Sequence, residues 1–91
     1  MFGLSQMEYN ELISVLKKNN VLRAYIFGSR VLGTYKPGSD VDLAIIGDEK
    51  PVSYFLNEES RLPYFFDVIN LDKVSNRNLI EHIHRHGVKI I

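Results

Sequence analysis

The stretch FGSRVLGTYKPGSDVDLAII, residues 27–46, decides how this chain is read. An apolar residue and Gly28-Ser29 lead into a polar loop holding Gly33, Pro37 and Gly38, which closes on Asp40-Val41-Asp42 ahead of an apolar run. Two readings are open at this point. One is an ordinary strand–turn–strand connection, with Gly38-Ser39-Asp40 as loop punctuation and Asp-x-Asp as a solvated strand entry or Asx-turn. The other is a loop and carboxylate pair built to hold a nucleotide and its metal.

The flanking sequence supplies the elements that this stretch joins. Residues 21–27, VLRAYIF, and 41–47, VDLAIIG, read as strands rich in β-branched and aromatic residues. Ahead of them, Ser5 and Glu8 have capping-box spacing, with Leu4 and Tyr9 placed as a hydrophobic staple. Tyr9, Leu12, Ile13 and Leu16 then share one helical face, and Asn19-Asn20 stops the helix. Downstream, Pro51 suits a helix N1 position, and Val52, Phe55, Leu56 and Glu59 predict a short helix to about residue 60. YFFDVINL, residues 64–71, predicts a third strand, apolar on both faces and so central in the sheet and covered by helices. A helix over 76–86 with Leu79, Ile80 and Ile83 as its stripe and Gly87 as its stop follows, and VKII adds a short final strand. The expected architecture is one domain over residues 1–91. Its fold class is α/β (α+β): two layers, with a small mixed sheet of about four strands flanked by helices.

A Mg²⁺ ion prefers oxygen ligands and takes one or two carboxylates plus substrate phosphates. Asp40 and Asp42 stand two apart at a strand entry, so strand alternation points both carboxylates to one face, roughly 6–7 Å apart along the chain. Asp67 lies within an otherwise apolar strand. An ionised carboxylate buried there needs a cation, a hydrogen-bond donor or a raised pKa. If the third strand lies beside the second, Asp67 joins the pair as a third metal ligand and can take a proton from an attacking hydroxyl. Gly28 permits close approach of backbone to ligand, and the N–H groups after Ser29 can face phosphate oxygens. Arg30 and Lys36 are the nearby cations for polyphosphate charge, and Ser39 completes the candidate nucleotide-binding set.

Composition bounds the alternatives. The 91 residues are 45% apolar and 24% charged, with eleven basic and eleven acidic side chains. A neutral domain lacks the basic footprint of a stand-alone nucleic-acid binder. There is no cysteine, which excludes disulfides and thiolate metal sites. No apolar run approaches the roughly 20 residues that span a bilayer, so no membrane partner and a cytoplasmic location are expected.

The motif GSRVLGTYKPGSDVDL resembles the active-site motif of the DNA polymerase beta-type nucleotidyltransferase superfamily, where Gly-Ser and Asp-x-Asp are about ten residues apart. Ten residues lie between Ser29 and Asp40 here. Within that superfamily the chain is similar to minimal nucleotidyltransferases of the kind found as antitoxins in HEPN/MNT toxin–antitoxin pairs. The resemblance implies the nucleotidyltransferase fold, with ATP as substrate and two Mg²⁺ ions. It implies Gly28 and Ser29 as the phosphate-binding pair, Asp40 and Asp42 as metal ligands, and Asp67 as third acid. NMP then moves to an acceptor hydroxyl, a tyrosine of a small helical HEPN-type partner, and homo- or hetero-oligomers are both open. Two alternatives stand beside this: an antitoxin that neutralises its partner by contact alone, and a small-molecule or RNA-end nucleotidyltransferase working with a separate substrate-binding subunit.

Other motifs carry less. Gly28 and Gly33 have P-loop spacing, but Thr34-Tyr35 stands where Lys-Ser/Thr is required. In EHIHRH, His82 and His86 share a helix face without a third ligand, so histidines exposed near a helix C-terminus are expected rather than a zinc site. Arg77 and His82 have the Arg-x4-His spacing of HEPN ribonucleases, a coincidence in a strand-rich chain. Tyr54, Phe55, Tyr64, Phe65 and Phe66 are expected mostly in the core, and any that are exposed predict an interface.

Overall fold

Ser5 starts the first helix as its spacing to Glu8 predicts. In the computed structural model, which describes residues 1–91, the Ser5 hydroxyl accepts from the Glu8 amide at 3.1 Å and the Glu8 carboxylate from the Ser5 amide at 2.8 Å. Helix α1 (Gln6–Lys18) therefore opens with a complete capping box and buries Leu12, Val15 and Leu16. Leu4, ahead of the cap, is buried, and Tyr9 packs on the same cluster. Asn20 leaves the helix at φ 58°, a left-handed turn that asparagine tolerates better than most residues.

Strand β1 (Arg23–Phe27) is followed by a single helical turn α2 (Ser29–Leu32) and, after the loop, by β2 (Val41–Ile46). Helix α3 (Glu49–Tyr54) runs into a π-helical turn (Phe55–Glu59), then come β3 (Phe66–Asn70), α4 (Arg77–His86) and β4 (Val88–Lys89). The sheet order is β3-β2-β1-β4. β1 is antiparallel to both β2 and β4, whereas β2 and β3 are parallel, so the sheet is mixed.

Thirteen buried residues, among them Leu12, Leu16, Ile26, Leu43, Leu56 and Phe66, join α1 and α3 to one face of the sheet. Alternation along the strands sends Phe27 and Ala44 to the other face, where Ile83 of α4 meets them in a smaller cluster. The helices thus cover both faces, and the two-layer expectation gives way to a thick layer on one side and a thin one on the other.

Two further expectations are corrected. β3 is an edge strand, not a central one. Its apolar residues on both faces are explained by cover above and below, with Phe66 and Val68 facing α1 and α3 and Ile69 and Leu71 facing α4. A second strand neighbour is not needed. The free edge is blunted by Asn57, whose side-chain amide donates to the Phe66 carbonyl at 2.9 Å and accepts from the Phe66 N–H at 2.8 Å. Helix α3, in turn, begins two residues before Pro51. Asp48 caps it by accepting from the Lys50 amide at 3.2 Å, and Pro51 sits within the first turn, where its missing N–H has no helical partner to lose.

The unequal layers give a stability prediction. Leu43→Ala removes a side chain at 0% exposure from the larger cluster and should cost about 2–5 kcal/mol in urea denaturation. Ile80→Ala, at a position 42% exposed on α4, should stay within about 0.5 kcal/mol of the native chain.

Candidate nucleotide and metal site

The pairing register brings Asp42 and Asp67 together on adjacent strands, with Gly28 just past the end of the third. Phe27, the last residue of β1, is opposite Asp42 on β2, and Asp42 is in turn beside Asp67 on β3. Parallel neighbours in register project their side chains to the same face, and adjacent strands lie about 4.8 Å apart. Asp40 precedes Asp42 by two residues and completes the acidic end of this face. A one-residue slip of β3 would have turned Asp67 into the core.

Gly28 caps α2 at φ 78° and ψ −153°, a conformation that L side chains rarely adopt. The contact behind it is as restrictive as the angle, because a Cβ at Gly28 would overlap the Asp42 carboxylate. The N–H groups of Val31 and Leu32 bond back to the Gly28 carbonyl. Ser29 is half-buried at the start of this turn.

The electrostatics of the three acids are set by what is missing around them. The two ion pairs of the structure, Lys73–Glu49 and Arg85–Glu81, lie elsewhere. No protein donor reaches the carboxylates of Asp40, Asp42 or Asp67; at Asp40 only the main-chain carbonyl accepts a side-chain bond, from Arg30. Burial pushes the Asp42 carboxyl above the ordinary carboxylate range, and the charges of Asp67 and Asp40 push it further, against a smaller opposing effect of Arg30. Asp67 itself is exposed, because β3 is an edge strand. The expected burial penalty on Asp67 is therefore not what marks it; the register is.

This donor set suits a small hard cation. All the oxygens are carboxylate, two of the acids stand side by side on adjacent strands, and no ion pair of the protein engages them. No three acidic or histidine side chains converge closely enough to enclose an ion by themselves. A cation held at Asp40, Asp42 and Asp67 would thus take its remaining ligands from phosphate oxygens and water. The acids line none of the four cavities. The largest, ≈470 Å³, lies at the opposite end of β2 against Gly47 and Asn70, so the acids occupy an open ledge and not a pocket.

The other expected ligands are placed differently. Lys36 is exposed in the loop. Ser39 turns that loop, its hydroxyl accepting from the Lys36 amide at 2.8 Å. Arg30, expected to face phosphate, is 4% exposed and has its donors on main-chain carbonyls.

His82, expected to be exposed at the helix end, is half-buried, and its Nε2 accepts from the Gly28 N–H at 3.2 Å. That bond requires a neutral ring with its proton on Nδ1. The ring also stands edge-on to Phe27 at 6.1 Å. The cue was in the spacing: 79, 82, 83 and 86 form an i, i+3, i+4, i+7 set, which places His82 on the inward stripe of α4. Of the five clustered aromatics, only Phe66 is buried, and Tyr54, Phe55 and Phe65 are exposed.

A folded-state pKa above the unfolded one favours the protonated carboxyl. The contribution of Asp42 to stability is then fully present below about pH 3.9 and is lost as pH rises through the raised value. Asp42→Asn should therefore stabilise the ligand-free domain at pH 7 relative to the native chain, with the difference vanishing at acid pH. Mn²⁺ should raise Tm of the native chain but not of Asp42→Asn, each 1 kcal/mol appearing as about 4–8 °C by calorimetry.

Comparison with known proteins places this geometry. The solved structure of a toxin–antitoxin with AMP-PNP superimposes with a TM-score of 0.73 at 25% identity, over 89% of this chain and 70% of that one. Two further structures are variants of the toxin–antitoxin MntA-HpeT. One, with a tyrosine replaced by alanine, gives a TM-score of 0.74 at 25% identity over 94% of this chain and 73% of that one. The other, with two aspartates replaced by glutamates, gives 0.72 at 23% identity over 89% and 70%. No curated protein sequence matches. The family model for polymerase beta nucleotidyltransferases matches residues 10–91, a span that contains the glycine turn and all three acids, and the chain belongs to that family.

Proposed function

We propose that this protein is a Mg²⁺-dependent nucleotidyltransferase that moves AMP from ATP to a tyrosine hydroxyl of a HEPN-type toxin, and thereby acts as its antitoxin. The observation that carries the reading is the alignment of Asp42 and Asp67 on adjacent strands with Gly28 packed against Asp42, and three carboxylates that take part in no ion pair. The 25%-identical relative solved with AMP-PNP is itself a toxin–antitoxin, which supports both the nucleotide and the partner.

In this reading Asp40, Asp42 and Asp67 hold Mg²⁺, which when bound supplies charge neutralisation at the phosphates. Gly28 lets the main chain approach the phosphate oxygens closely, the N–H groups that open α2 from Ser29 onward face them, and Lys36 offsets the charge on the departing pyrophosphate. The acceptor oxygen attacks the α-phosphorus, the bond from that phosphorus to pyrophosphate breaks, and Asp67 takes the hydroxyl proton. Exposure of Asp67 on the edge strand leaves it reachable by a macromolecular acceptor. Phe65, 57% exposed and two residues before Asp67, offers an apolar contact beside it.

The test is label transfer from α-labelled ATP, with Mg²⁺, to any small helical protein encoded beside this one. The native chain should label it, Asp40→Asn/Asp42→Asn should not, and Asp67→Asn should fall by about 10²–10⁴-fold, the usual worth of a general base. If neither native chain nor variant transfers label, yet the partner is bound and silenced, the protein is a contact antitoxin and the enzymatic reading is wrong.

A further inference from the structure

Arg30 is the one charged residue in the buried set, and it makes no ion pair. A buried cation without a carboxylate is costly unless dipoles replace the lost water. Here they do so at each of its three nitrogens. Nη2 donates to the Ser39 carbonyl at 2.7 Å, Nη1 to the Phe2 carbonyl at 2.8 Å and Nε to the Asp40 carbonyl at 3.3 Å. The guanidinium carbon lies 4.7 Å from the Tyr64 ring centroid and 5.0 Å from that of Tyr35, both within cation–π range. Tyr64 is anchored in turn, its hydroxyl donating to the Glu8 carboxylate of the capping box at 2.8 Å.

The position of these bonds gives them their meaning. Arg30 follows Ser29 on α2, while Ser39 and Asp40 lie at the far end of the loop. Its bonds join the two arms of that loop; the remaining loop bonds, Thr34 N–H to Ser29 and the Lys36–Ser39 turn, are local to one arm. The N-terminal segment closes over the group, since a Cβ at Gly3 would come within 2.7 Å of both Nη1 and the Tyr35 ring.

We propose that Arg30 is a positioning residue, a clamp that fixes the glycine loop and so sets where Asp40 stands relative to Gly28-Ser29, and that it does not contact the nucleotide. A lysine cannot replace it, because a single ammonium cannot reach three carbonyls in the fork geometry of a guanidinium. The consequence for nucleotide binding rests on the site reading above; the consequence for the loop does not.

The experiment compares the native chain with Arg30→Lys and Tyr35→Leu. Amide hydrogen exchange is followed in ligand-free protein, and Mg²⁺–ATP affinity is measured by calorimetry below the melting range. In Arg30→Lys the amides of Thr34, Lys36, Ser39 and Val41 should exchange about 10-fold faster or more while those of α1 and β1 keep their rates, as in a local opening. The Kd for Mg²⁺–ATP should rise about 10-fold, with Tyr35→Leu intermediate in both measurements. Unchanged loop exchange with weakened nucleotide binding would make Arg30 a direct ligand and overturn the clamp. Uniformly faster exchange would make it a core residue only. Should Arg30→Lys not fold, Tyr35→Leu decides, because it removes one of the two rings that hold the guanidinium against the loop carbonyls; native-like loop exchange there also overturns the proposal. If even the native chain binds no Mg²⁺–ATP, the nucleotidyltransferase reading falls and the exchange pattern still judges the clamp.

Discussion

The carboxylate of Asp42 lies against the Cα of Gly28, and the remainder of the acidic ledge follows from that contact. It requires β1 to end where β2 has just begun, which the antiparallel register from Arg23–Ile46 to Phe27–Asp42 provides. It forbids a side chain at position 28. It also removes water from one face of Asp42, which is the leading reason that its proton is held more tightly than usual. A parallel strand on the other side of β2 then adds Asp67 at the same level, so two carboxylates stand as neighbours with no protein cation between them.

Such an arrangement is a liability for the ligand-free fold. Like charges on adjacent strands repel, and the one arginine close by is occupied with the loop carbonyls. Stability and function oppose each other at sites of this kind, where a protein retains charges that a cationic ligand will later neutralise. The thirteen-residue cluster on the opposite face supplies the burial that keeps the domain folded meanwhile. The acidic face carries only α4, and His82 is the strut through which that helix holds the Gly28 amide.

The helix caps, the strand cores and the acid motif were legible because each depends on residues close in sequence. Ser5 with Glu8, the stripe of α1 and the separation of Gly28-Ser29 from Asp40-Val41-Asp42 are local patterns with local physical causes. Three features were not legible in the same way. β3 looked central because both its faces are apolar, yet the expected cover by helices produces that pattern on an edge strand as readily as on a central one. His82 looked exposed because it lies near a helix end, although its spacing from Leu79 and Ile83 placed it inward. Arg30 looked like a phosphate ligand because it stands beside Ser29.

What the sequence determined by itself was the inventory and its periodicity: a glycine able to take φ 78°, two acids on one strand face, and a third acid inside a strand. Only the tertiary structure decided which of these groups meet. Strand pairing chose the neighbour of Asp67, and folding of residues 1–4 over the loop brought the Phe2 carbonyl to Arg30. Local propensity acts over a few residues, whereas register and burial are set by contacts between segments tens of residues apart. The charge of a side chain is written in the sequence; whether that charge is spent on a ligand or on the fold depends on what the chain brings beside it.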